Sequence, residues 1–134
     1  MDERERHFLE TFIRKDRKER LLHQFGSEKK RYEALDRFCH DTGKLINKSL
    51  VIMQGEKLES DKEFEKFCNS HNEECLMISP DGFLDNQVMV LKEAVKAALM
   101  CFDAVIVIGK GFAFIKEESM KGGTVKYLLK EHVQ

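Results

Sequence analysis

The chain has 134 residues, a formal net charge of −1, 42% hydrophobic and 35% charged residues, four cysteines and one proline. That length suits one main core, burying roughly two-thirds of the unfolded surface. The near-neutral balance lacks the global positive charge of a dedicated nucleic-acid binder, and no apolar run approaches the roughly 20 residues that cross a bilayer, so no membrane insertion is expected.

The charge is unevenly divided. Residues 1–48 carry 13 basic and 10 acidic side chains, residues 49–134 carry 10 and 14, and every arginine (Arg4, Arg6, Arg14, Arg17, Arg20, Arg31 and Arg37) lies in the first 37 positions. Arginine presents a rigid donor fork suited to carboxylates and phosphates, which marks the N-terminal third as a contact surface.

In chain order, Asp2 to Phe25 reads as helix, being free of Gly and Pro and rich in helix formers. Its apolar residues fall into two groups, Phe8, Leu9, Phe12 and Ile13, then Leu21, Leu22 and Phe25. At about 100° per residue these groups centre about 160° apart around the axis. Either the chain bends near Asp16 to Lys18, or the early half reaches beyond the domain as an arm. Gly26-Ser27 breaks the pattern, and Ser27 can cap a second helix through Tyr32, Leu35, Phe38 and Cys39 that ends at Asp41-Thr42-Gly43 unless Gly43 is tolerated.

A short strand is predicted at Leu50 to Met53. Ser60 and Glu63 fit a capping box opening a helix with the stripe Phe64, Phe67, Cys68 and His71. A second strand spans Cys75 to Ile78 and closes at the turn Ser79-Pro80-Asp81-Gly82. Asp85 can cap a central helix over 86–102, whose stripe is Val88, Leu91, Val95, Ala98, Leu99 and Phe102. Val105 to Ile108 is apolar on both faces and reads as a buried strand. Phe112 to Ile115 and Val125 to Leu129 complete an antiparallel meander, although the last segment is short enough to be helical instead.

The predicted fold is therefore α+β: an antiparallel sheet packed against a central helix, with two N-terminal helices. Residues 1–26 form a helical arm or hairpin half, and residues 27–134 a single α+β domain.

Chemical motifs are sparse. Cys39-His40, Cys68, His71, Cys75 and Cys101 include no Cys-x2-Cys pair, and Cys39, Cys68 and Cys101 sit on apolar stripes, so core packing is expected over zinc or a thiolate pair. Gly109-Lys110-Gly111 and Lys121-Gly122-Gly123-Thr124 lack the spacing of a phosphate loop and read as strand turns. Asp81 and Asp85 read as a turn acceptor and a cap. No catalytic residue, metal or cofactor is assigned. The charged N-terminus, Met-Asp-Glu-Arg-Glu-Arg, does not resemble a secretory leader, so a cytoplasmic, reduced protein is expected.

These features favour a small intracellular, non-enzymatic interaction or regulatory module. Its expected contact residues are Phe8, Leu9, Phe12 and Ile13, meeting a protein partner or a second copy, with Arg14, Arg17, Lys18, Arg20, Lys29, Lys30 and Arg31 beside them. The alternatives are nucleic-acid binding through the Arg14 to Arg31 surface, locally +5 from eight basic and three acidic groups, and a small-molecule enzyme built on a pocket near Cys68, His71 or Asp81.

Overall fold

Val105-Ile106-Val107-Ile108 offers no polar side chain to either side, so a strand made of it has to be covered twice. The computed structural model, which describes residues 1–119 and 123–132, does this with helices on both faces of one sheet. The helices are α1 (Glu3–Phe12), α2 (Lys18–Phe25), α3 (Arg31–Leu45), α4 (Lys62–Ser70) and α5 (Leu91–Met100). The strands are β1 (Val51–Gly55), β2 (Glu74–Ile78), β3 (Val88–Val90), β4 (Val105–Ile108), β5 (Phe112–Lys116) and β6 (Lys126–Lys130). They form a six-stranded sheet in the order β1-β6-β5-β4-β2-β3, with every neighbouring pair antiparallel.

Strand alternation divides the core in two. Ile106 and Ile108 join Leu76, Ile78, Ile115 and Leu129 in the layer under α1, α2 and α3, while Val105 and Val107 join Met77, Phe112, Phe114 and Leu128 under α4 and α5. The predicted α+β class and the antiparallel meander of the last three strands are both present.

Of the two expected alternatives, a bend or an arm, the chain takes the bend. Phe8, Leu9, Phe12 and Ile13 are at most 1% exposed and belong to the same cluster as Leu35, Phe38 and Ile78. The helix stops at Phe12, Ile13 turns extended and bridges to Ile46, and helix resumes at Lys18. That break rotates the second half, so two stripes that point apart on a straight helix reach one core. The Phe8 and Phe25 rings both lie against Phe38, at 6.2 and 6.4 Å between centroids. This face is interior to the chain and presents no surface to a partner.

Helix boundaries also move. The predicted 86–102 helix begins only at Leu91, because Val88–Val90 pairs with β2 as an edge strand, set by hydrogen bonds from Asn86 N to Met77 O and from Met77 N to Gln87 O, both 2.8 Å. Asp85 does not cap α5. Its Oδ1 accepts from Ser79 N at 3.1 Å and from the Arg31 guanidinium at 3.2 Å. Asp61 rather than Ser60 caps α4, accepting from Glu63 N and Phe64 N. Ser27 starts a turn, and α3 opens at Arg31 and continues past Gly43 with one non-helical residue, Asp41.

Arg31 ties the N-terminal helices to the loop after β2. Its guanidinium donates to Glu5, which is 3% exposed, and to Asp85 at 3.2 Å. Burial pushes the Glu5 carboxyl above the ordinary glutamate range, with Arg31 opposing the rise. Arg31→Met leaves that carboxylate buried without its partner and should cost roughly 3–5 kcal/mol in denaturant unfolding at neutral pH. A carboxyl with a raised folded-state pKa favours folding when protonated, so this deficit should shrink as pH falls through the pKa of Glu5 in the variant. Phe38→Ala should cost about 3–5 kcal/mol by the same measurement, since it empties the centre of the aromatic contact.

Candidate functional site

Because β2 and β4 are antiparallel neighbours, the segment leaving β2 lies beside the segment entering β4. The turn residues reach across. Ser79 Oγ donates to Ala104 O at 2.7 Å, and Asp81 N donates back to Ser79 Oγ at 3.1 Å. Cys101 Sγ donates to one Asp81 oxygen at 3.3 Å, while the other accepts from Phe83 N at 2.8 Å. The ligand atoms of Asp81, Cys101 and Asp103 all lie within 4.8 Å of one another, the one group of metal-like spacing among the described residues.

Lys116, at the end of β5, brings an ammonium to the same place. It is 1% exposed and donates to Cys101 O and to Ser119 Oγ at 3.1 Å. Its register partner across the β5–β6 pair is a second buried lysine, Lys126, which donates to Glu56 O and Glu59 Oε2. Burial lowers the Lys116 pKa, and Lys126 adds to the effect. Burial and the bond to Asp81 raise that of the Cys101 thiol, so it serves as a hydrogen-bond donor rather than as a thiolate nucleophile. For a cation, the two carboxylates would be favourable ligands, while the protonated thiol and the neighbouring ammonium oppose binding.

Three large apolar side chains close in sequence to Asp81 and Cys101, here called the apolar rim, are exposed. Cys101 is extended, so its side chain points inward while those of Met100 and Phe102 point out, 90% and 67% exposed. Phe83, two residues after Asp81, is 90% exposed. Phe102 was expected on the buried stripe of the central helix; it is exposed because α5 stops at Met100.

A second feature lies where α1 and α3 end. Arg14 N donates to Leu45 O and Asn47 N to Phe12 O, closing the Ile13–Ile46 bridge. An open groove of about 650 Å³ forms beside it, lined by Arg14, Lys15, Asp16, Lys44, Lys48 and Ser49 among others. Arg17, Arg20 and Arg37 surround a smaller adjoining recess with Asp41. Arg14 and Arg17 share Asp16, at 3.1 and 3.9 Å.

The sequence-derived basic set is thus divided. Arg14, Arg17 and Arg20 belong to this face, and Lys18 opens α2 beside it. Lys29 and Lys30 lie in the turn beyond the far end of α2, and Arg31 is engaged in the core ion pairs. Lys44, Lys48 and Arg37 were missed, because nothing in the local pattern says that the end of α3 returns to Arg14.

The cysteines are free and buried on separate elements. Burial pushes the thiols of Cys39 and Cys75 up to about 12 and about 11. His71 Nδ1 donates to Phe67 O at 2.8 Å, and the ring stacks on Phe67 with the ring centres 3.9 Å apart. Gly109-Lys110-Gly111 is the tight β4–β5 turn, with Gly111 at φ +78° and a Phe112 ring filling the place of a Cβ at Gly109. In the second glycine motif, Lys121 and Gly122 lie outside the described residues.

Lys116 generates a pH test. A lysine whose folded-state pKa is depressed contributes stability that is present above its unfolded value and lost as pH falls through the folded one. Wild-type stability should therefore rise relative to Lys116→Met as pH is taken from neutral toward the ordinary lysine value of 10.5, read by chemical unfolding at several pH values. A constant difference would show that the ammonium is not desolvated. No protein-family model, curated protein or solved structure matches this chain.

Proposed function

We propose that the protein is a non-enzymatic interaction module that binds a partner protein through the apolar rim of Phe83, Met100 and Phe102. The observation carrying this reading is the exposure of three large apolar side chains on two segments, the loop after β2 and the end of α5 with the residues after it, joined by the Cys101–Asp81 hydrogen bond. Exposed large apolar side chains mark contact sites, and aromatic residues and methionine are enriched at such interfaces. The polar cluster beneath the rim supports a scaffolding role: each hydrogen bond there fixes the position of a loop, and the Cys101 thiol is kept protonated. The interaction function expected from sequence is retained in this reading, and its surface moves from the interior α1 face to the segments that follow β2 and precede β4.

A photoreactive phenylalanine analogue placed at position 83, in cells that naturally make the protein, should crosslink to a discrete protein. The same analogue at position 32, where an exposed tyrosine sits on α3, should not. Phe83→Ser should then weaken binding to the captured partner about thirtyfold, the effect of removing an aromatic anchor worth about 2 kcal/mol. Its stability should stay within about 0.5 kcal/mol of wild type, because the side chain is solvent-exposed. Equal labelling from both positions, or none from position 83, would remove the support for this surface.

A further inference from the structure

The groove between Arg14 and Lys48 differs in kind from the apolar rim. Lys15, Lys44 and Lys48 line it or its edge, and none of the three has a carboxylate partner among the described residues. Arg20 and Arg37, on the adjoining recess, are likewise without an ion-pair partner there. All five side chains are exposed. Part of this charge has a local explanation, since Arg14 donates to Lys44 O at 3.2 Å and cations near the end of α3 complement its dipole. Lys15 and Lys48 lie outside any helix end turn of α3, and Arg20 and Arg37 lie within α2 and α3, so the dipole does not account for them.

We propose that this face binds the phosphate backbone of a nucleic acid, independently of sequence and of the apolar rim. Charge complementarity selects an anion, and the character of the lining selects phosphate over an acidic protein. A protein interface has an apolar core, often with aromatic anchors, whereas the groove combines cations with Asn47 and Ser49, carries one carboxylate, Asp16, already paired with Arg14 and Arg17, and has Ile46 as its one large apolar residue, itself buried. Phosphate contacts need only such cations and hydroxyl or amide donors. The absence of an aromatic residue from the lining also denies unpaired bases a stacking platform. The backbone of a duplex is therefore the ligand that uses what the face offers, and ribose or deoxyribose is distinguished by the arms of the test.

The test is fluorescence anisotropy with the full chain and labelled mixed-sequence duplexes of RNA and of DNA. Binding of at least one duplex is expected, falling on the order of a hundredfold between about 50 and 200 mM salt if four phosphates are neutralised. Reversal of the groove lysines, Lys15→Glu, Lys44→Glu and Lys48→Glu together, should weaken binding more than about tenfold and flatten the salt dependence. Lys29→Glu with Lys30→Glu, equal in sign but beyond the far end of α2, should leave it nearly unchanged. Because the reversed side chains are exposed, thermal unfolding should confirm the fold; if the triple variant unfolds, Lys48→Gln and Lys15→Gln serve in its place. No binding at the lower salt, a salt-insensitive affinity, or equal loss in both sets of variants overturns the proposal. Displacement of the duplex by polyglutamate as effective as by unlabelled duplex, charge for charge, would overturn it in favour of an acidic protein.

Discussion

A strand without a polar side chain cannot sit at a surface, and the rest of this architecture follows from meeting that constraint at β4. Burying each of its four Val and Ile side chains is worth about 1.5–3 kcal/mol, and both faces have to contribute. The α4 and α5 layer covers one face with Phe64, Leu91, Ala94 and Ala98. The other face needs more apolar surface than α3 supplies alone, and α1 and α2 provide it through Phe8, Phe12, Leu21 and Phe25. The break at Ile13 to Arg17 is what lets both N-terminal stripes take part.

Covering a sheet on both faces leaves its strand ends and the helix termini as the places where polar chemistry gathers. At one end, buried lysines on β5 and β6 satisfy loop carbonyls, and Ser79, Asp81 and Cys101 bind one loop to another. Elsewhere Arg31 joins α1, α3 and the β2–β3 loop through Glu5 and Asp85. Among the described residues, no buried side-chain nitrogen or oxygen is left without a hydrogen-bond partner. These groups hold backbone segments in place.

The two exposed surfaces arise from different physical causes. The apolar rim exists because α5 ends at Met100 and the chain turns extended, so that alternate residues at 100 and 102 face outward. The basic face exists because α1 and α3 end side by side, which adds Lys44 and Lys48 to Arg14 and Lys15. The two surfaces share no residue.

Local pattern in the sequence was sufficient for the α+β class, for the buried strand at 105–108, for the turn at 109–111, and for assigning the cysteines to core positions, because burial periodicity and turn chemistry are properties of neighbouring residues; the turn after β2 starts at Asp81 rather than Ser79. The arginine asymmetry was also legible, as was the mismatch of the two N-terminal stripes. Which way that mismatch resolves depends on Ile46, more than thirty residues away, and on the room left over the sheet. Val88 to Val90 carries residues compatible with helix or strand, and pairing with β2 decided it. The same holds for the surfaces: Arg31 leaves the basic set because Glu5 and Asp85 converge on it, and Lys44 and Lys48 enter because two helix ends meet. Residue type set the chemistry available to this chain, and long-range packing decided which groups it buried, paired or left to solvent.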